Sequence, residues 1–170
     1  MSKLKNMRAI EIPKFRAVSS GAKPIDQIFG KESDFLSWVK SHERLLKKHI
    51  YEPQDFVWHE NKDINQSVWA VAINDGVTEE DTAPYKIIEF QSGMFLVATA
   101  DENDGDDLNE TVNCMVEWIN GSDVFEMGDY PISGMCNMPN PDGAIDKALN
   151  IAQQQIYLPL KFRTKQISKE

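Results

Sequence analysis

Hydrophobic and polar positions along the chain fall into short stretches of two kinds. From Met7 to Ser20, the residues Ile10, Ile12, Phe15, Ala17 and Val18 nearly alternate with polar ones, which predicts a strand. Pro13 interrupts it, because proline lacks the N–H that a ladder needs. After Glu32-Ser33-Asp34, the residues Phe35, Trp38, Val39, His42, Leu45 and Leu46 recur at helical steps and so share one helix face. Ser33 or Asp34 is the expected N-cap. Beyond Tyr51-Glu52-Pro53 the pattern shortens. The β-branched and aromatic runs Phe56–Glu60 and Val68–Ile73 predict an antiparallel pair of strands.

The stretch Asn74 to Pro84 is polar and acidic and reads as a linker, after which the order repeats. Ile87–Phe90 and Met94–Ala98 predict a strand kinked at Ser92-Gly93. The run Asp104-Gly105-Asp106-Asp107 is a favourable helix start, and Leu108, Val112, Met115, Val116 and Ile119 follow at helical spacing. Two further strands are expected around Pro131–Met138 and Gln153–Phe162, separated by the loop Pro139–Gly143 and a short helical piece up to Asn150. Ile10-Glu11-Ile12 before Phe15–Val18 parallels Ile88-Glu89-Phe90 before Met94–Val97. The predicted fold is therefore α+β: two pseudo-symmetric βαββ repeats, 7–74 and 85–162, in one domain covering residues 1–170. Side by side they form one antiparallel sheet with helices on one face and a ligand groove on the other, along the boundary between the halves.

Charge narrows the function. A formal net charge of −9 repels nucleic-acid phosphates, and no basic stripe or zinc-finger spacing opposes it, so direct nucleic-acid binding is not expected. The two cysteines, Cys114 and Cys136, form no CxxC pair and fit a reducing cytoplasm. The basic N-terminus leads into no apolar run, and nothing approaches the roughly 18 apolar residues of a membrane span. No cofactor or metal motif is present in the sequence.

The order of elements, the strand Glu89–Ala98, the helix end Val116-Glu117-Trp118-Ile119 and the closing strand Gln155-Ile156-Tyr157-Leu158-Pro159 together resemble the GyrI-like effector-binding domains. The resemblance runs from about Met7 to Phe162. That family includes drug-sensing modules of multidrug-responsive bacterial transcription regulators, the gyrase inhibitory protein, and stand-alone members, some carried on mobile gene cassettes. It implies an aromatic-lined groove with a buried glutamate that pairs with lipophilic cations. The family's closing strand usually reads Glu-Ile-Tyr-Ile-Pro, so Gln155 puts an amide where the acid stands. The second acid, usual in the preceding strand, falls near Gly134.

With those acids replaced, Glu60 becomes the first candidate to hold a cation, since it shares strand parity with Trp58. A solvated Glu60 at the start of the Asn61-Lys62-Asp63 loop is the equal alternative. Glu89 and Glu117 are expected to face solvent. Trp58, Trp69, Trp118, Tyr130 and Tyr157 are candidate pocket walls, with Phe95 from the second-half strand, although core packing is the commoner role for any one aromatic. Tyr157 and Gln155 share strand parity and face the same way. Met135 and Met138 offer a soft, adaptable lining, or plain core filler. The acidic runs 79–81 and 101–107 read as solvated surface. The expected ligand is a small lipophilic aromatic cation.

Catalytic patterns are scarce. His42, His49 and His59 fall in no metal-binding spacing, and no nucleophile elbow, P-loop or dinucleotide motif occurs. Two alternatives stay open beside a binding protein. One is an interaction protein whose acidic surface masks a partner such as gyrase. The other is a small-molecule hydrolase using Glu60 with Tyr157 or Tyr130. No helix-turn-helix region precedes Met7, so on this reading a transcriptional role needs a separate partner. A homodimer through exposed strand edges is also left open.

Overall fold

In the computed structural model, described over residues 5–48, 55–132, 134–138 and 144–164, each long alternating stretch is two strands rather than one. The first divides at Pro13 into β1 (Lys5–Ile12) and β2 (Phe15–Ser19). The other divides at Gln91-Ser92 into β5 (Lys86–Phe90) and β6 (Gly93–Asp101). Between them come α1 (Ile25–Phe29), α2 (Asp34–Ser41), β3 (Asp55–His59), β4 (Ser67–Ala72) and α3 (Glu79–Thr82). The chain continues through α4 (Gly105–Asn120), β7 (Phe125–Met127), β8 (Met135–Asn137), α5 (Ala144–Leu149) and β9 (Gln153–Phe162). The loop expected at 139–143 and the break expected at 51–53 lie outside the described residues.

Both divisions serve one purpose. All strand pairs are antiparallel, and the sheet order is β1-β6-β9-β8-β3-β4-β2-β5, with β7 added beside β9. From one edge the order runs β1-β6-β9-β8, and from the other β5-β2-β4-β3. Each half thus lends its edge strand to the other, β1 pairing with β6 and β5 with β2. Pro13 falls at the first crossing, where a missing ladder donor costs nothing. The halves meet at the centre, where Val57 of β3 pairs with Cys136 of β8.

Helix caps follow from the local sequence. Ser33 caps α2, its Oγ accepting from the Leu36 amide at 3.1 Å. Asp104 caps α4 by accepting from the amides of Asp106 and Asp107, each at 3.0 Å. The helix faces then cover one side of the sheet. Phe35 and Trp38 pack over Val18, Trp69 and Val71, while Met115 and Ile119 pack over Leu96, Ala98 and Leu158. Side-chain alternation sends Phe15, Phe56, Trp58, Phe90, Phe95, Met135 and Tyr157 to the opposite side, where they form one aromatic core spanning both halves. Phe15 and Phe90 stack at 4.7 Å, and Tyr157 meets Phe56 edge-on at 5.2 Å.

Three short elements escaped the sequence reading: α1, α3 and β7. The 101–107 run also departs from the expectation of solvated surface. Asp107 is buried, and its carboxylate accepts from the Asp101 amide at 2.9 Å, tying α4 back to the end of β6.

Candidate functional site

Two hollows flank the central junction between β3 and β8. The first lies on the helix-bearing side and has a volume of about 760 Å³, within the usual range for a small-molecule site. Val57 and Cys136, the central strand pair, contribute to its lining with Trp69 and Gln154 beside them. Ile25 and Phe29 of α1, Leu36 of α2 and Met138 after β8 add apolar wall. Ile25 is 51% exposed and Phe29 41%, so apolar side chains at this hollow remain open to solvent.

One carboxyl group is half-buried in that wall. Asp55 begins β3 and shares the strand parity of Val57, so its carboxylate must face the helix side. Trp69, opposite Val57 on β4, donates its indole N–H to Asp55 Oδ2 at 3.0 Å. Burial raises the Asp55 carboxyl above the ordinary carboxylate range, and the Trp69 hydrogen bond opposes that in part. Glu102, Asp146 and Lys147 complete the charged lining. Burial also pushes the Cys136 thiol up to about 11, with Glu102 and Asp55 adding to the effect against a hydrogen bond from Gln154. At neutral pH that thiol is protonated and a poor nucleophile.

The second hollow, about 700 Å³, lies between the end of β3 and the segment that follows β7. Trp58, Glu60, Met127, Asp129, Tyr130 and Pro159 line it, and it shares Trp58, His59 and Gly134 with the first. Gly134 has φ +65 and directly precedes β8, and a Cβ there would meet nothing within 4 Å. Gly134 is thus among the residues that line both hollows.

No known family profile matches the sequence, and no curated protein matches it. Solved structures do resemble the fold. EcmrR in its DNA complex superposes with a TM-score of 0.63 at 16% identity, over 93% of this chain, which spans only 58% of that one. The EcmrR C-terminal domain gives 0.58 at 10% identity over 92% of this chain and 97% of its own. A hydrolase from Listeria innocua gives 0.57 at 14% identity over 93% of each chain. The chain has the GyrI-like α+β fold.

Within this GyrI-like fold the sequence candidates separate into groups. Trp69 and Met138 line the helix-side hollow, Glu60 and Tyr130 line the other, and Trp58 lines both. Phe95, Met135, Gln155 and Tyr157 line neither hollow. They are buried in the aromatic core, where the Tyr157 hydroxyl donates to Gln155 Oε1 at 2.6 Å. Trp118 lies on α4 away from both hollows, 37% exposed and stacked on Phe125 at 6.1 Å. Tyr130 is held in place: its hydroxyl donates to the Leu160 carbonyl at 2.6 Å and accepts from the Met94 amide at 3.2 Å. Glu89 is exposed and pairs with Lys14 at 2.7 Å. Most of the helix-free side, where the groove was expected, is filled. The space left there is the region of Trp58, Glu60 and Tyr130.

Asp55 is the residue that sequence reasoning missed. Its signal was present as an acid in phase with Val57 at the start of a strand. Among the described residues, no helix is long and apolar enough to cross a membrane, and no group of three metal-ligating side chains converges.

Proposed function

We propose that the protein is an effector-binding module that captures a lipophilic aromatic cation in the helix-side hollow between its halves. The observation that carries this is Asp55: a carboxylate kept in a predominantly apolar wall, hydrogen-bonded to a tryptophan. A carboxylate in such surroundings is held at a cost unless a positive charge joins it. An aromatic cation supplies that charge and also covers the apolar surface of Phe29, Leu36 and Val57. Among the described lining residues, Glu102 and Asp146 add negative potential against one positive side chain, Lys147.

Binding fits better than catalysis. The Tyr157 and Tyr130 hydroxyls proposed to assist a hydrolytic glutamate are both committed to internal hydrogen bonds, and the Cys136 thiol is protonated. Transcriptional regulation, as suggested by the likeness to EcmrR, belongs to this reading as the process that ligand capture would serve.

The test compares N-benzylquinolinium with uncharged benzylquinoline by thermal shift and calorimetric titration. The cation is expected to bind at least about ten-fold more tightly, the worth of one well-placed charge pair of about 1.4 kcal/mol. Equal binding of the two would remove the charge from the account.

A further inference from the structure

We propose that the cation taken by the helix-side hollow is a protonated aryl-alkyl amine, held by N–H donation to one flank and by ring packing on the other. This rests on the reading above and names the class of cation. The two flanks come from different halves of the chain. Ile25 and Phe29 of α1, Leu36 of α2 and Trp69 of β4 bring apolar and aromatic surface to the first, with the Phe29 and Trp69 ring centroids 4.8 Å apart. The second flank is built differently. Cys136 of β8, Gln154 of β9, Glu102 after β6 and Asp146 of α5 bring mostly hydrogen-bond acceptors. Lys147, itself an alkylammonium, lines the same flank. Asp55 stands between the two, because β3 separates β8 from β4 in the sheet.

Strand parity aims these groups into one space. Val57 pairs with Cys136 on one side and Trp69 on the other, and Asp55 shares its phase. Cys136 pairs in turn with Ile156, which packs with Met115 and Ile119 of α4. Gln154 is in phase with Ile156, so its amide faces the helix side as well. That amide donates to the Cys136 thiol, which leaves its oxygen as an acceptor. Asp55 accepts from Trp69 through Oδ2, and a carboxylate has room for further donors. An ammonium entering the hollow gives up hydrogen bonds to water and must replace them, and the carboxylate and amide oxygens of this flank do so. A quaternary or ring-delocalised cation has no N–H to give, and it cuts those oxygens off from water. The aromatic part of the amine turns to the other flank, where Phe29 and Leu36 cover it.

Calorimetric titration with 2-(1-naphthyl)ethylamine and its N,N,N-trimethyl derivative tests this. Both carry one positive charge at neutral pH, since an alkylamine keeps its proton up to about pH 10, and they differ in having N–H groups to donate. The primary amine is expected to bind at least about ten-fold more tightly, the worth of a hydrogen bond to a charged group. Gln154→Leu should cut that preference to about three-fold or less and leave the trimethyl compound unchanged. Gln154→Glu keeps an acceptor and should retain the preference, and circular dichroism melting checks that both variants are folded. Equal or tighter binding of the trimethyl compound overturns the donor requirement. So does failure of both compounds while N-benzylquinolinium still binds in an Asp55-dependent way, and in either case cation capture stands. If no cation binds, both readings fall. A preference that survives Gln154→Leu also overturns the proposal, by placing the acceptors elsewhere.

Discussion

The two sides of the sheet solve the same problem in opposite ways. On the helix-free side, aromatic residues from both halves fill most of the space, and the Tyr157 hydroxyl buried among them is satisfied internally by Gln155. On the helix side the halves pack separately, each under its own helix, and leave a hollow along their boundary. The polar group kept there is a carboxylate with one indole partner. A filled interior calls for neutral, closed hydrogen bonds, whereas an open one can keep a charge because a ligand completes it.

The strongest way to break this contrast is to empty the filled side. Tyr157→Ala removes a ring that is 1% exposed, meets Phe56 and Phe95, and satisfies Gln155. A loss of about 3–5 kcal/mol in urea unfolding is expected. A loss below about 1 kcal/mol would mean that this side is not the principal core. Gly93→Ala should come next. A Cβ at Gly93 would stand 2.6 Å from the Tyr130 ring, whose hydroxyl holds the Leu160 carbonyl and the Met94 amide. Overpacking of this kind costs about 1–3 kcal/mol, and unfolding should show it without loss of cation affinity.

On the open side the expected effect is smaller and has the opposite sign. Because burial raises the Asp55 carboxyl, the folded state holds that proton more tightly than the unfolded chain does. Stability is then greatest below the ordinary carboxylate range and falls as pH rises through the raised value. Asp55→Asn removes that fall while keeping an oxygen for the Trp69 indole. The variant should melt higher than the parent at neutral pH and lose this advantage in acid, even as cation binding weakens. Thermal melts across pH check this, and a lower melting point at neutral pH would contradict it. The smallest effect is reserved for Trp118→Ala. Its stacking on Phe125 at the surface is worth about 1 kcal/mol, and cation affinity should be unchanged, since Trp118 lines neither hollow.

The strands were legible wherever alternation lasted five residues or more, and the helices wherever a cap preceded an apolar stripe. The exchange of edge strands was not, because pairing between halves leaves no local trace beyond Pro13 and the Ser92-Gly93 break. β7, three residues long, is too short to show a period. At the site, strand parity placed Gln155 and Tyr157 on a common side, which the structure bears out, but parity cannot say which side holds space. That depends on how the sheet curls. In the sequence, Asp55 follows Pro53-Gln54 and so reads as the end of a loop. Only its phase with Val57, and Val57's pairing with Trp69, places it in the hollow.

The most direct test of the account is the titration of the Asp55 carboxyl itself, followed by carbon NMR in the free protein and with N-benzylquinolinium bound. The free carboxyl should titrate above the ordinary carboxylate range, and the bound cation should pull it down, since a neighbouring positive charge favours the ionised form. An Asp55 carboxyl whose titration is the same with and without the cation would contradict the pairing on which the proposed function stands.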